Sequence, residues 1–355
     1  MIFKDMLKDS ETLFRNELAL DFTYQPKILK YRDREQRHIA MCIKPLFEKR
    51  NGKNLFIYGK PGIGKTLAVQ HVLREIEENY DEPLAVYVNC WQKNTSYKIA
   101  VDICEILGYK FTQNKKTEEL FKIIENIVNK KSAVFVFDEI DKAEELAFLY
   151  TLLERIYRKT IILITNPKDW LLDLEERIKS RLLMDVLEFR AYNAEETRGI
   201  LEQRMEIAFV PGVFDRQSFE TIVKKAVELQ DIRSGLHIMR ESAMIAESQS
   251  SKKISIEHVE LAIKKLDTMT VKSSEDLEDD TRFMLEVIKD NTNKKIGELF
   301  RIYQERGGVS SYKTFQRKVK KLEDNGFIAV KKINGGAEGS TSIISYEKTP
   351  KLTDF

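Results

Sequence analysis

"KNLFIYGKPGIGKT", residues 53–66, decides the fold. An apolar run ends at Gly59, and "GKPGIGKT" then fits G-x-x-x-x-G-K-[ST], the pattern of a loop that cradles phosphates between a strand and a helix. Glycines let such a loop fold tightly, presenting backbone N–H groups and a helix N-terminus to an anion. Gly59, Gly62, Ile63, Gly64, Lys65, Thr66 and Leu67 are the expected nucleotide contacts. Lys65 reaches β- and γ-phosphates, and the Thr66 hydroxyl binds Mg²⁺. The expected ligands are ATP or ADP with Mg²⁺.

Downstream, "AVFVFDEID" (133–141) ends an apolar run on two acids. Asp138, at the end of a buried strand, is placed to hold Mg²⁺, and Glu139 to orient or deprotonate an attacking water. Such a pair can also merely cap the following helix; its place after a P-loop favours chemistry. "TIILITN" (160–166) ends in Asn166, which either reaches the γ-phosphate or water, or simply makes the turn before Pro167. "EERIKSRLLMD" (175–185) puts Arg177 and Arg181 four apart on one helix face. They either pair with nearby acids or point at the ATP of a neighbouring subunit.

The runs 53–59, 84–89, 133–139, 160–166 and 185–189, with helical patterns between them, predict an α/β fold with a parallel sheet covered on both faces. From Glu195 to Leu266 the pattern is helical throughout. "DTMTVKSSEDLEDD" (267–280) is rich in serine and acids and reads as a linker. Two short helices joined by "NTNK" follow, then a third helix and two strands around "NGGAEGS", the winged-helix pattern. The expected domains are 1–190 (P-loop α/β), 191–267 (helical), 268–280 (linker) and 281–355 (winged helix).

The third helix carries "SSYKTFQRKVKKLEDNGFIAV" (310–330). Phe315, Val319 and Leu322, with Tyr312 one turn earlier, form an expected core stripe. Lys313, Gln316, Arg317 and Lys320 fall on the opposite face. That face is either ordinary solvated surface or the part of a recognition helix that meets phosphates and base edges of duplex DNA. Charge is asymmetric: residues 281–355 hold 15 Lys+Arg against 9 Asp+Glu, and the preceding 280 hold 44 against 48. A local basic domain suits a polyanion partner.

Hydrophobic content of 42% and charged content of 33% are those of a soluble, helix-rich chain. No run of about 18 apolar residues suggests a membrane span. "MIFKDMLKDSETLF" puts acids where a signal peptide needs an apolar core, so a cytoplasmic, nucleoid-associated location is expected. Cys42, Cys90 and Cys104 lack any CxxC pairing, and the four histidines are as scattered. Neither a disulfide frame nor a zinc site is expected.

Together the P-loop, "VFVFDEID", "ITN", "RIKSR" and a helical segment with "LQDIRSGLHIMRESA" (229–243) resemble an AAA+ ATPase with its lid domain. More narrowly, "LDFTYQPKILKYRDREQ" (20–36), "NLFIYGKPGIGKT", "YVNC" and the C-terminal winged helix resemble the archaeal origin-recognition initiators, relatives of the eukaryotic origin recognition complex and its loading factor. The similarity covers nearly the whole chain. It implies an ATP-dependent replication initiator that binds duplex origin DNA beside other initiator protomers, hydrolyses ATP slowly as a switch, and recruits the replicative helicase. It also implies that Arg233 in "DIRSG" senses the γ-phosphate, that Tyr192 and Arg204 line the nucleotide site, and that Arg181, rather than Arg177, is the arginine finger. Segment 91–110, with Lys93, takes the place of the initiators' DNA-contacting insertion. Two departures stand out: Trp91-Gln92 where the family suggests an arginine, and a wing tip with Glu338 and no basic residue. Two other readings place the chain as a DNA-bound regulatory or signalling P-loop ATPase, or as a branch-migration motor.

Overall fold

The computed structural model describes residues 12–275, 279–308, 310–324, 327–335 and 339–346. They fall into two compact units, Met1–Ala262 and Ile263–Phe355.

In the first unit the five expected strands form one parallel sheet. They are β1 (Leu55–Tyr58), β2 (Leu84–Asn89), β3 (Ala133–Asp138), β4 (Lys159–Ile164) and β5 (Asp185–Glu188), in the order β2-β3-β4-β1-β5. Alternation along each strand sorts side chains onto two faces. Phe56, Val86, Val88, Phe135, Phe137, Ile161 and Leu163 pack under α3 (Ser96–Ile106), α4 (Thr117–Val128), α5 (Ala147–Arg155) and α6 (Glu176–Leu182). Leu55, Ile57, Val134, Val136, Ile162 and Ile164 face α1 (Asp33–Ile43) and α2 (Lys65–Asn79). Helix α4 shows why these segments are helices: Leu120, Phe121, Ile124 and Val128 are buried at three- and four-residue spacing. The P-loop, the Asp138–Glu139 pair and Asn166 then all follow the carboxyl ends of β1, β3 and β4.

Four helices follow: α7 (Ala194–Ala208), α8 (Arg216–Leu229), α9 (Ile232–Ser248) and α10 (Ile256–Glu275). Asn193, Asp215 and Asp231 cap the first three through side-chain oxygens that accept backbone N–H bonds. Gly235 lets α9 approach closely, since a Cβ there would lie 2.9 Å from Leu201 and 3.0 Å from Ala226. The N-terminal stretch bonds to α7 as well as to the sheet unit: Arg15 and Asn16 donate to the Ala208 carbonyl, while Leu29 joins the core with Leu55 and Ile57.

The second unit contains α11 (Asp279–Asp290), β6 (Lys294–Lys295), α12 (Ile296–Glu305), α13 (Tyr312–Asp324), β7 (Ile328–Gly335) and β8 (Gly339–Tyr346). The sheet order is β6-β8-β7 and all pairs are antiparallel. This is the winged-helix arrangement, with three differences from expectation. Part of the expected linker is helical, because α10 continues to Glu275 and α11 begins at Asp279. "NTNK" is no simple connector, because Lys294–Lys295 pair with β8. Tyr312 is not core: at the first turn of α13 it stays 40% exposed, its ring edge-on to Phe300. Phe315, Val319 and Leu322 are buried. The wing tip with Glu338 lies outside the described residues.

Candidate nucleotide site and basic face

The P-loop joins β1 to α2, and its backbone explains its glycines. Gly62 (φ 72°) and Gly64 (φ 86°) occupy the left-handed region. They are also crowded: a Cβ on Gly62 would lie 2.0 Å from Asp231 Oδ1, and one on Gly64 2.8 Å from the Tyr192 hydroxyl. Two lid-side residues therefore press on the loop that begins α2.

A cavity of about 600 Å³ opens at the loop. Gly62, Ile63, Gly64, Lys65, Thr66, Leu67, Asp138, Glu139, Asn166, Tyr192, Arg204 and Arg233 all line it. The sequence-derived candidates from the P-loop, β3, β4 and the helical segment thus converge. Lys65 Nζ donates to the carbonyls of Gly59 (2.7 Å) and Lys60 (2.8 Å) and to Asn166 Oδ1 (2.9 Å). Burial holds the Lys65 ammonium down to about 8; Asp138 opposes this and Arg233 reinforces it.

Asp138 is 3% exposed and fully engaged. Its Oδ2 accepts from the Thr66 hydroxyl (2.6 Å) and the Tyr87 hydroxyl (2.8 Å), and its Oδ1 from the Glu139 N–H (2.9 Å). Glu139 has left-handed backbone (φ 52°, ψ 44°), a conformation a non-glycine residue adopts at a cost. Burial, followed by the charges of Asp138 and Asp141, raises its carboxyl above the usual range. Asp141 in turn accepts from Thr165 (2.7 Å), tying the acid loop to the end of β4.

The remaining candidates are placed differently. Arg204 lines the cavity, but its guanidinium donates to the carbonyls of Ala19 (2.9 Å) and Tyr24 (3.0 Å). It fastens the N-terminal stretch from the cavity wall. Arg181 lies outside the cavity lining, half-exposed on α6. It is paired with Glu154 at 3.0 Å and lies over the Tyr150 ring at 4.7 Å. Arg177 stacks on the same ring and pairs with Glu175. Lys93 pairs with Asp102 at 3.3 Å, beside an exposed Trp91.

Sequence reasoning missed Arg32. It is fully buried, donating to Glu35 (2.8 Å) and to the carbonyls of Ile63 (2.8 Å) and Arg190 (2.7 Å), with Tyr192 stacked 3.9 Å away. It clamps the P-loop from behind. The only available signal was its place in "KYRDREQ".

On α13, Lys313, Gln316, Arg317 and Lys320 are all exposed, and among the described residues none forms an ion pair with the three cations. Lys318 turns inward instead and bonds Asp280 at 2.9 Å, where Tyr303 and Ser310 also donate.

Residues 49–169 match the AAA domain family model, and residues 198–264 the Cdc6 AAA+ ATPase-type lid domain model. The chain is 30% identical to ORC1-type DNA replication protein 1 of Archaeoglobus fulgidus, over 74% of this chain and 68% of the relative. It is 26% identical to ORC1-type DNA replication protein 2 of Methanothermobacter thermautotrophicus, over 96% and 94%. Among solved structures, the Aeropyrum pernix ORC1 protein in complex with DNA aligns with a TM-score of 0.72 at 25% identity, covering 94% of this chain and 93% of that one.

Proposed function

Because this chain belongs to the ORC1-type DNA replication protein family, we propose that it is an initiator that binds duplex DNA at replication origins and is switched by ATP. The observation carrying this reading is the convergence of Lys65, Thr66, Asp138, Glu139, Asn166 and Arg233 on one cavity, in a chain that also presents an exposed basic helix face. That the Aeropyrum relative was solved on DNA supports α13 as a DNA-contacting element.

In the proposed cycle Lys65 exchanges the Gly59 and Lys60 carbonyls for nucleotide phosphates. Thr66 and Asp138 would hold Mg²⁺. Both offer hard oxygen ligands, and their oxygens lie 2.6 Å apart at the cavity wall. When bound, the ion would offset phosphate charge. Glu139 takes the proton of the attacking water, Asn166 positions it, and the products are ADP and phosphate. Arg233, on α9, reports the γ-phosphate to the lid. Arg181 completes the site of a neighbouring protomer, which makes turnover in an isolated chain slow. Recruitment of the replicative helicase completes the initiator role.

Footprinting on genomic DNA with ATP and with ADP tests the assignment. A few discrete sites whose occupancy changes with the nucleotide support it. Junction-dependent binding points to a branch-migration motor, and nucleotide-independent sites away from replication start points indicate a regulator; either result overturns it.

A further inference from the structure

Away from the nucleotide cavity, the fold collects three residues that look unrelated in sequence. His38 and Cys42 stand four apart on one face of α1, and Asp185 opens β5. The imidazole nitrogen, the thiol sulfur and a carboxylate oxygen all lie within 4.8 Å of one another. His38 Nε2 is 3.9 Å from Asp185 Oδ2. We propose that His38, Cys42 and Asp185 form a binding site for a borderline-soft divalent cation of the zinc type, pinning α1 to the edge strand of the sheet.

The chemistry of the set favours that class. One nitrogen, one sulfur and one oxygen are each donors that zinc accepts, and three of them with a water can complete a four-coordinate centre. Hard cations such as Mg²⁺ and Ca²⁺ avoid thiolate. Two of the three ligands start from fixed backbone. Cys42 is buried between Ile39 and Ile43 in the core under the sheet. Asp185 is held by its N–H bond to the Asn54 carbonyl (2.9 Å) and by its register with Leu55. Metal–ligand bonds of about 2.0–2.3 Å put tetrahedral ligand atoms roughly 3.3–3.8 Å apart. The cluster therefore has to contract by about 1 Å at its widest pair, within reach of rotamer adjustment by half-exposed His38 and Asp185. Lys53 opposes binding: its ammonium lies 3.6 Å from the same Asp185 oxygen. It is 66% exposed and free to swing into water. Binding a metal requires the thiol to lose its proton, so occupancy rises with pH.

The consequence reaches the P-loop. Arg32, just before α1, and Glu35, within it, form the buried pair that holds the Ile63 carbonyl. A cation fixing the far end of the same helix steadies that clamp.

Cobalt titration of the reduced, nucleotide-free full chain tests the proposal. Expected is one equivalent of Co²⁺ giving a thiolate-to-cobalt charge-transfer band with the visible bands of a four-coordinate centre, displaced by Zn²⁺. Thr66 and Asp138 offer only oxygen, so cobalt bound there lacks that band. His38→Ala, a change at a half-exposed position, should weaken binding about tenfold or more with an unchanged circular dichroism spectrum. Lys53→Gln should tighten it severalfold. Absence of the charge-transfer band in the folded wild type, its survival in Cys42→Ser, or equal affinity in folded His38→Ala overturns the site.

Discussion

Lys65 and Arg317 are both cations expected to meet phosphate, and the fold treats them in opposite ways. Lys65 is 7% exposed, bonded to two loop carbonyls and to Asn166, and its charge is held down by burial. Arg317 stands in water on α13 with Lys313 and Lys320, while Phe315 and Val319 carry the packing beneath. The cavity positions each group before its ligand arrives, so a change there alters chemistry and local stability together. The basic face positions only a helix and leaves its charges to the solvent. There, substitutions should change affinity and salt response without touching the fold.

The comparison is tested most severely at Glu139. Glu139→Gln keeps the shape but removes the base, so hydrolysis should fall by about 10²–10⁴-fold while nucleotide binding persists. Lys65→Ala should instead weaken nucleotide binding itself. The wild-type rate should also fall with acidity at a pH above that of an ordinary carboxylate. Burial, Asp138 and Asp141 raise the Glu139 carboxyl, and the base works only when deprotonated. Single-turnover hydrolysis of prebound ATP across pH measures both effects. Normal turnover by Glu139→Gln removes Glu139 from the mechanism.

Arg32 gives the next largest effect and asks how far preorganisation extends behind the site. Arg32→Ala leaves the Glu35 carboxylate, 9% exposed, without its partner and frees the Ile63 and Arg190 carbonyls. Breaking a buried pair from one side costs about 3–5 kcal/mol. Denaturant unfolding should show a loss of that order, and nucleotide affinity should drop with it. If stability falls and affinity does not, the P-loop holds its shape unaided.

Arg32 also marks where the sequence stops being legible. The P-loop and the acid pair are readable because local backbone geometry demands particular residues at fixed spacing, as Gly62 and Gly64 show. β1, β3 and β4 are readable because each is a short, fully buried and largely apolar run, whereas the edge strand β5 has no buried residue and shows only its alternation. Arg32, Tyr87 and Asp231 act through chain segments far from their own, so no spacing announces them. The same holds for His38, Cys42 and Asp185, which only the packing of α1 beside β5 brings together. Arg204 lines the cavity as the family resemblance implies, and its second task, holding the Ala19 and Tyr24 carbonyls, has no signal in the sequence. Asp280 sits where composition suggested a linker, but gathers Tyr303, Ser310 and Lys318 around one carboxylate. Tyr312 follows the helical period of the core stripe, but one turn too early to be covered.

The smallest expected effect concerns the basic face, and it sharpens the contrast most cleanly. Each cation that neutralises a phosphate releases condensed counterions, so log affinity falls by about 0.9 per contact against log salt. Removing two contacts with Arg317→Gln and Lys320→Gln should lower that slope by about 2, so the loss of affinity is greatest at low salt and shrinks as salt rises. Neither residue packs on the Phe315–Val319–Leu322 stripe, so circular dichroism and unfolding midpoint should not move. Lys318→Gln is the informative contrast within the same helix. Its ammonium already serves Asp280, 2.9 Å away, so its loss should lower stability and leave the salt slope alone. Salt titrations of duplex binding by the full-length variants separate the two outcomes. A slope unchanged by the Arg317 and Lys320 substitutions would mean that this face is ordinary solvated surface. A slope lowered equally by Lys318→Gln would mean that the helix meets DNA by net charge alone, with no preferred face.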